Sequence, residues 1–168
     1  MERYSITLGT HLNNASLIIL GCLISIFFPY AMSFIRNENV SSFIDVGIFI
    51  FIVLVCPALI IHINYYLVNR GDILEYAVQE KEITIYHNDL ATTFGLDDID
   101  YMRRSMSWNK AANRAFIAPW EGYNHSYIHL KDGRMFTVTS LLVPDLDLPL
   151  EQDKIIIKEN FYRLAKSY

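Results

Sequence analysis

Apolar and polar positions divide the chain near Arg70. Before it, Ala15 to Ile35 runs for 21 residues and Val46 to Val68 for 23, neither with a Lys, Arg, Asp or Glu. At about 1.5 Å per residue, each is long enough as a helix to cross a hydrocarbon layer of roughly 30 Å. Only the segment Arg36 to Asp45 parts them. The pattern predicts a transmembrane hairpin over residues 1–69, with helices at about 15–35 and 46–68 and both ends on one side. The first run exceeds the apolar stretch of a signal peptide, no positive excess precedes it and no small-residue cleavage site follows, so it is expected to be retained. Tyr30, Phe34 and Phe43 fit one interfacial aromatic belt, and Tyr65 and Tyr66 the other. Gly21 and Gly47 allow close helix contact without a G-x-x-x-G pair. Pro29 and Pro57 are expected to kink the helices.

Beyond Arg70-Gly71-Asp72 the period becomes two. Leu74, Tyr76 and Val78 alternate with polar or small residues, and after Glu80-Lys81 the alternation resumes at Ile83 and Ile85. Two such runs across a tight polar turn predict a hairpin. Ala91 to Phe94 and Tyr101 to Trp108 predict further strands, with a long connection from Asn109 to Asn124. Tyr127–Leu130 and Met135–Thr139 flank Lys131-Asp132-Gly133-Arg134, and Asp-Gly suits a two-residue type I′ turn. From Glu151 to Lys166, Ile157, Phe161, Leu164 and Tyr168 share one helical face. Glu151 and Asp153 fall in the first turn of that helix and Arg163 and Lys166 in the last, as the helix dipole favours.

Composition sharpens the division. Hydrophobic residues make up 52% of the chain, yet residues 70–168 hold 12 of the 14 basic and 15 of the 18 acidic side chains. The second part is thus a net-acidic soluble domain, which argues against nucleic acid as a partner. Arg3, Arg70 and Lys81 lie near its side of the hairpin against Arg36 alone in the loop. That bias predicts an inner (plasma) membrane protein with both termini cytoplasmic. Cys22 and Cys56 lie in the apolar runs and behave as small hydrophobes.

Several short antiparallel strands followed by an amphipathic helix outline a fold. The early hairpin through Ile85, the Phe94-Gly95-Leu96-Asp97-Asp98-Ile99 segment, the Tyr127 to Arg134 hairpin and the terminal helix carry a resemblance. The chain resembles bacterial pleckstrin-homology (PH)-like proteins with two N-terminal transmembrane helices. The resemblance implies a membrane-anchored α+β protein: a helix hairpin, then a PH-like antiparallel β-barrel or sandwich over 70–168, capped by a C-terminal helix. These features determine the fold and say little about a ligand. The long Asn109 to Asn124 connection departs from that pattern.

Candidate chemistry is sparse. PH domains that bind phosphoinositides cluster Lys and Arg between the first strands, whereas here Lys81 stands between Glu80 and Glu82. Asp97, Asp98 and Asp100 lack the spacing of a calcium loop. His87, His125 and His129 fall on different strands with no zinc motif, and His62 and Asn64 lie near a helix end where water reaches. Ser105 and Ser107 have no nucleophile elbow. No enzyme activity, cofactor or metal is expected. The candidate site is the connection: Trp108, Arg114, Phe116, Trp120 and Tyr123 are residue types enriched at binding hot spots, expected here to dock a protein or lie against the membrane. The reading is an integral membrane adaptor or scaffold that docks a membrane protein. An immunity protein neutralising a toxin and a lipid-sensing module are the alternatives.

Overall fold

The computed structural model describes residues 1–88 and 90–167. The chain opens on a strand, β1 (Glu2–Ser5), ahead of the first helix, α1 (Leu8–Arg36). α1 begins before the apolar run because Thr7 and Thr10 cap it reciprocally. Thr10 N donates to Thr7 Oγ1 at 3.2 Å and Thr7 N to Thr10 Oγ1 at 2.9 Å, satisfying donors the first turn leaves free. Asn37, left-handed at φ 54°, ends it.

The second helix, α2 (Val40–Asn69), is likewise longer than its apolar run. It enters through a 3₁₀ turn at Val40–Phe43 capped by Asn39 and widens into a π turn at Phe51–Val55. Pro57 lies two residues beyond it. Lacking an N–H, and with its ring crowding the carbonyl four residues back, it cannot continue a regular ladder. Both helices are long and apolar enough to cross a membrane. They touch where side chains are absent: a β-carbon on Gly47 would sit 2.6 Å from the Ser25 carbonyl oxygen, and one on Gly21 would sit 3.1 Å from Val55.

Two four-stranded sheets follow. The first has the order β1-β2-β3-β4, with β2 (Ile73–Ala77), β3 (Glu82–His87) and β4 (Leu90–Gly95), all antiparallel. β1 pairs with β2 from Glu2↔Tyr76 to Ser5↔Ile73, so the first sheet draws strands from both sides of the helix pair. A 3₁₀ turn at Leu96–Asp98, where Asp98 accepts from Gly95 N at 2.8 Å, carries the chain into the second sheet. That sheet has the order β7-β6-β5-β8, with β5 (Ile99–Met106), β6 (His125–Leu130), β7 (Met135–Thr139) and β8 (Ile155–Glu159). Leu74, Ile83 and Phe94 of one sheet and Ile99, Met102 and Ile128 of the other share one core.

Three expectations change. The sheets do not close into a barrel among the described residues, because the Leu96–Asp98 turn separates β4 from β5. The expected C-terminal capping helix is absent there: Gln152–Lys154 is a 3₁₀ turn and Ile155–Glu159 is β8, parallel to β5. Three consecutive β-branched isoleucines favour the pleated conformation, and the open edge of β5 supplies the hydrogen bonds. Tyr168, expected on that helix, lies outside the described residues. The Asp-Gly turn is a three-residue loop: Gly133 N donates to the Leu130 carbonyl at 3.0 Å, and only Gly133 has a positive φ, 90°. That is a type I turn closed by a glycine bulge, with Asp132 holding the Arg134 amide.

Candidate functional site

The helix pair and the sheets meet along a buried seam. Ile18 of α1 and Val55, Ala58, Ile61 and Tyr65 of α2 pack with Trp120, Tyr123 and Leu141 from the domain. Polar groups lock the seam in register. His62 lies 2.9 Å from His11 and 2.7 Å from the Tyr123 hydroxyl, and a neutral imidazole serves both bonds, donating through one nitrogen and accepting through the other. The Tyr65 hydroxyl meets His125 Nδ1 at 2.9 Å. Asn69 donates to the Thr137 carbonyl at 2.8 Å and accepts from Thr139 N at 2.8 Å, joining the end of α2 to β7. Asn64 likewise exchanges two bonds with the backbone of Ala165. The domain is bolted to the hairpin.

The Asn109 to Asn124 connection is ordered by Glu121. Ser107 caps a single helical turn, α3 (Trp108–Ala111), through Lys110 N. Glu121 then accepts from Asn109 Nδ2 and from the amides of Ile117 and Ala118. Lys110 reaches the Gly122 carbonyl at 3.2 Å and Asp145 at 2.8 Å. The loop so held lies along the helices: Pro119 lies beside Gly21 of α1, and Phe116 shares a groove with Leu17.

The five residues singled out in the sequence divide into two sets. Trp120 and Tyr123 point inward, 6% and 1% exposed, and build the seam. A large aromatic beside an apolar helix gains more by burial there than by facing water. Trp108 and Phe116 stay exposed, and Arg114 lies over the Trp108 ring at 4.5 Å, a cation–π contact. Ile117, 87% exposed, belongs with them and was missed in the sequence, where a single isoleucine in a loop carries no signal. Glu121 was also missed; its reach to the amides four and three residues back is a capping arrangement legible only once the loop is folded.

The other three histidines act separately. His87 pairs with Asp72 at 2.6 Å, His129 stacks on Tyr101, and His125 is enclosed among Tyr65, Tyr127 and the tail. Burial, with Arg163 and Arg103 nearby, pushes the His125 pKa down to about 4. Burial also raises that of Tyr123. Asp98 is engaged in its turn, and no group of three or more His, Cys, Asp or Glu side chains is arranged for a metal among the described residues.

With the geometry in place, the comparisons are direct. No curated protein and no solved structure matches the chain. A family model described as PH domain matches residues 3–149. The match starts within β1, runs through both helices and ends before β8. PH domains are typically non-catalytic binding domains, which fits a site made of packing surfaces. The chain belongs to the PH domain family.

Proposed function

We propose that this protein is an integral membrane adaptor: its helix pair spans the bilayer and holds the PH domain rigidly on the cytoplasmic surface, where the domain docks a membrane protein. The observation that carries the reading is the packing of the Asn109 to Asn124 connection against the two apolar helices. A hydrocarbon layer of about 30 Å takes up roughly 20 residues of each helix. Measured from the turn between them, that reaches the neighbourhood of Leu17 on α1 and Ile60 on α2. Pro119 meets Gly21, and Trp120 packs with Ile18 and Val55, on the apolar side of that level. Phe116 and Ile117 then enter the lipid, and Trp108 with Arg114 stays at the surface for a protein partner. The family's usual role as a binding module favours docking over catalysis.

The test uses the full chain with Cys22 and Cys56 replaced by Ala. A cysteine at Ile117 is expected to resist a charged thiol reagent in native membranes, whereas one at Val78, in an exposed turn, reacts freely. Equal labelling sinks the insertion. A photo-reactive residue at Trp108 is expected to give one discrete adduct with a membrane protein, and adducts with lipid alone overturn the docking.

A further inference from the structure

We propose that the cleft between β5, β6 and the C-terminal tail binds the phosphate group of a membrane lipid. The site is built by topology. Arg103 and Ser105 of β5 stand opposite Tyr127 and His125 of β6 on the sheet face turned away from the core. Parallel pairing of β8 brings Lys158 level with Ser105. The tail then folds back across the same face: Asn160 donates to Ser105 Oγ at 2.9 Å, and Lys166 N donates to the Tyr127 hydroxyl at 3.1 Å. Between tail and sheet lies a space of about 200 Å³.

Arg103, Lys158, Arg163 and Lys166 line this cleft, and among the described residues no Asp or Glu does. Among the described residues none of the four forms an ion pair with Asp or Glu. Arg163 is the telling one. Only 1% exposed, it donates to the Asn160 and Trp120 carbonyls at 3.0 and 2.8 Å, and its buried Nε has no acceptor. The acid nearest in influence, Glu121, is committed to Asn109 and the loop amides. A buried guanidinium short of both an acceptor and a counter-charge is costly, and a phosphate oxygen supplies both. The domain's overall acidity does not oppose this, because charges beyond about 8 Å are largely screened at physiological salt.

The site lies apart from the turn between the first strands, where Lys81 stands alone between two glutamates. Its height selects the source of phosphate, and here the inference rests on the membrane reading. Ala165 is tied to Asn64, a few residues beyond the estimated hydrocarbon edge near Ile60, which is the headgroup layer. The cleft therefore opens at the level where lipid phosphates already lie.

The experiment is native mass spectrometry of the full-length protein released from nanodiscs of phosphatidylcholine and phosphatidylglycerol. One phosphatidylglycerol per chain is expected to survive release. Lys158→Gln with Lys166→Gln, both exposed side chains, is expected to cut retention about tenfold with the melting temperature unchanged. Arg163→Met serves as a second variant where its melt shows the fold intact. Equal retention by wild type and the double variant overturns the site. If inorganic phosphate raises the melting temperature of the wild type alone while no lipid is retained, the lipid source is overturned in favour of a soluble phosphate. Alkaline carbonate extraction of native membranes tests the membrane reading separately, since a chain released by carbonate fails that reading whatever the cleft binds.

Discussion

His125 sits between the Tyr65 hydroxyl and the edge of Tyr127 while Arg103 and Arg163 crowd the same space, so protonating it in the fold puts a third cation beside two. In the unfolded chain the ring takes its proton near pH 6.5; in the fold it does so only near pH 4. Its contribution to stability is therefore whole above about pH 6.5, declines as the pH falls toward 4, and loses nothing further below. Between pH 7 and 5 the expected loss is about 2 kcal/mol. Denaturation of the purified protein at the two pH values checks this, with His125→Asn expected to flatten the difference; an undiminished slope in the variant assigns it elsewhere. At this scale the sequence revealed residue types but not their directions. Trp120 and Tyr123 are aromatics of the kind that mark hot spots, and the same bulk and amphipathic edge suit them to the seam they occupy. The basic cleft was invisible for a related reason: Arg103 and the residues at 158–166 lie far apart in the chain and meet only because β8 runs parallel to β5.

Among the elements, the helix pair depends on its closest crossing. A β-carbon at Gly47 meets the Ser25 backbone oxygen at 2.6 Å and Pro29 Cγ at 2.8 Å, and neither neighbour is a flexible side-chain end. Gly47→Val is expected to force the helices apart and cost about 1–3 kcal/mol, as overpacking commonly does. A lower melting temperature in detergent and faster proteolysis at the Arg36–Val40 turn are the readouts; wild-type behaviour in both refutes the close crossing. Both helices and the β2–β3 and β6–β7 hairpins were legible, because long apolar runs and strict alternation leave little competition. The tail was misread for a definite cause. Ile157, Phe161 and Leu164 fit a helical spacing, but Ile155-Ile156-Ile157 fits a strand equally well by residue type, and only the unpaired edge of β5 decides between them. β1 escaped notice because Glu2-Arg3-Tyr4-Ser5 is short and polar, without the alternation that marks a half-buried strand.

For the molecule as a whole, the shift in character at Arg70 marks where an apolar helix ends, while the first sheet reaches back across it to Glu2. Residues 70–168 alone lack β1 and leave β2 as a bare edge, and they expose Trp120, Tyr123 and Leu141, which the helices otherwise cover. That fragment is expected to be aggregation-prone and to melt well below the full chain in detergent, by light scattering and thermal denaturation. A monodisperse fragment of full-length stability contradicts this account of the seam. The pairing of Glu2–Ser5 with Ile73–Ala77 has one more consequence. In the membrane reading proposed above, these segments flank the two spans and meet only when both lie on one side of the bilayer. A nascent chain that threads one span and stalls leaves its two halves of the sheet in different compartments. On that reading, completion of the sheet reports an even number of crossings, and a chain halted after one span is left with β2 as an open strand edge.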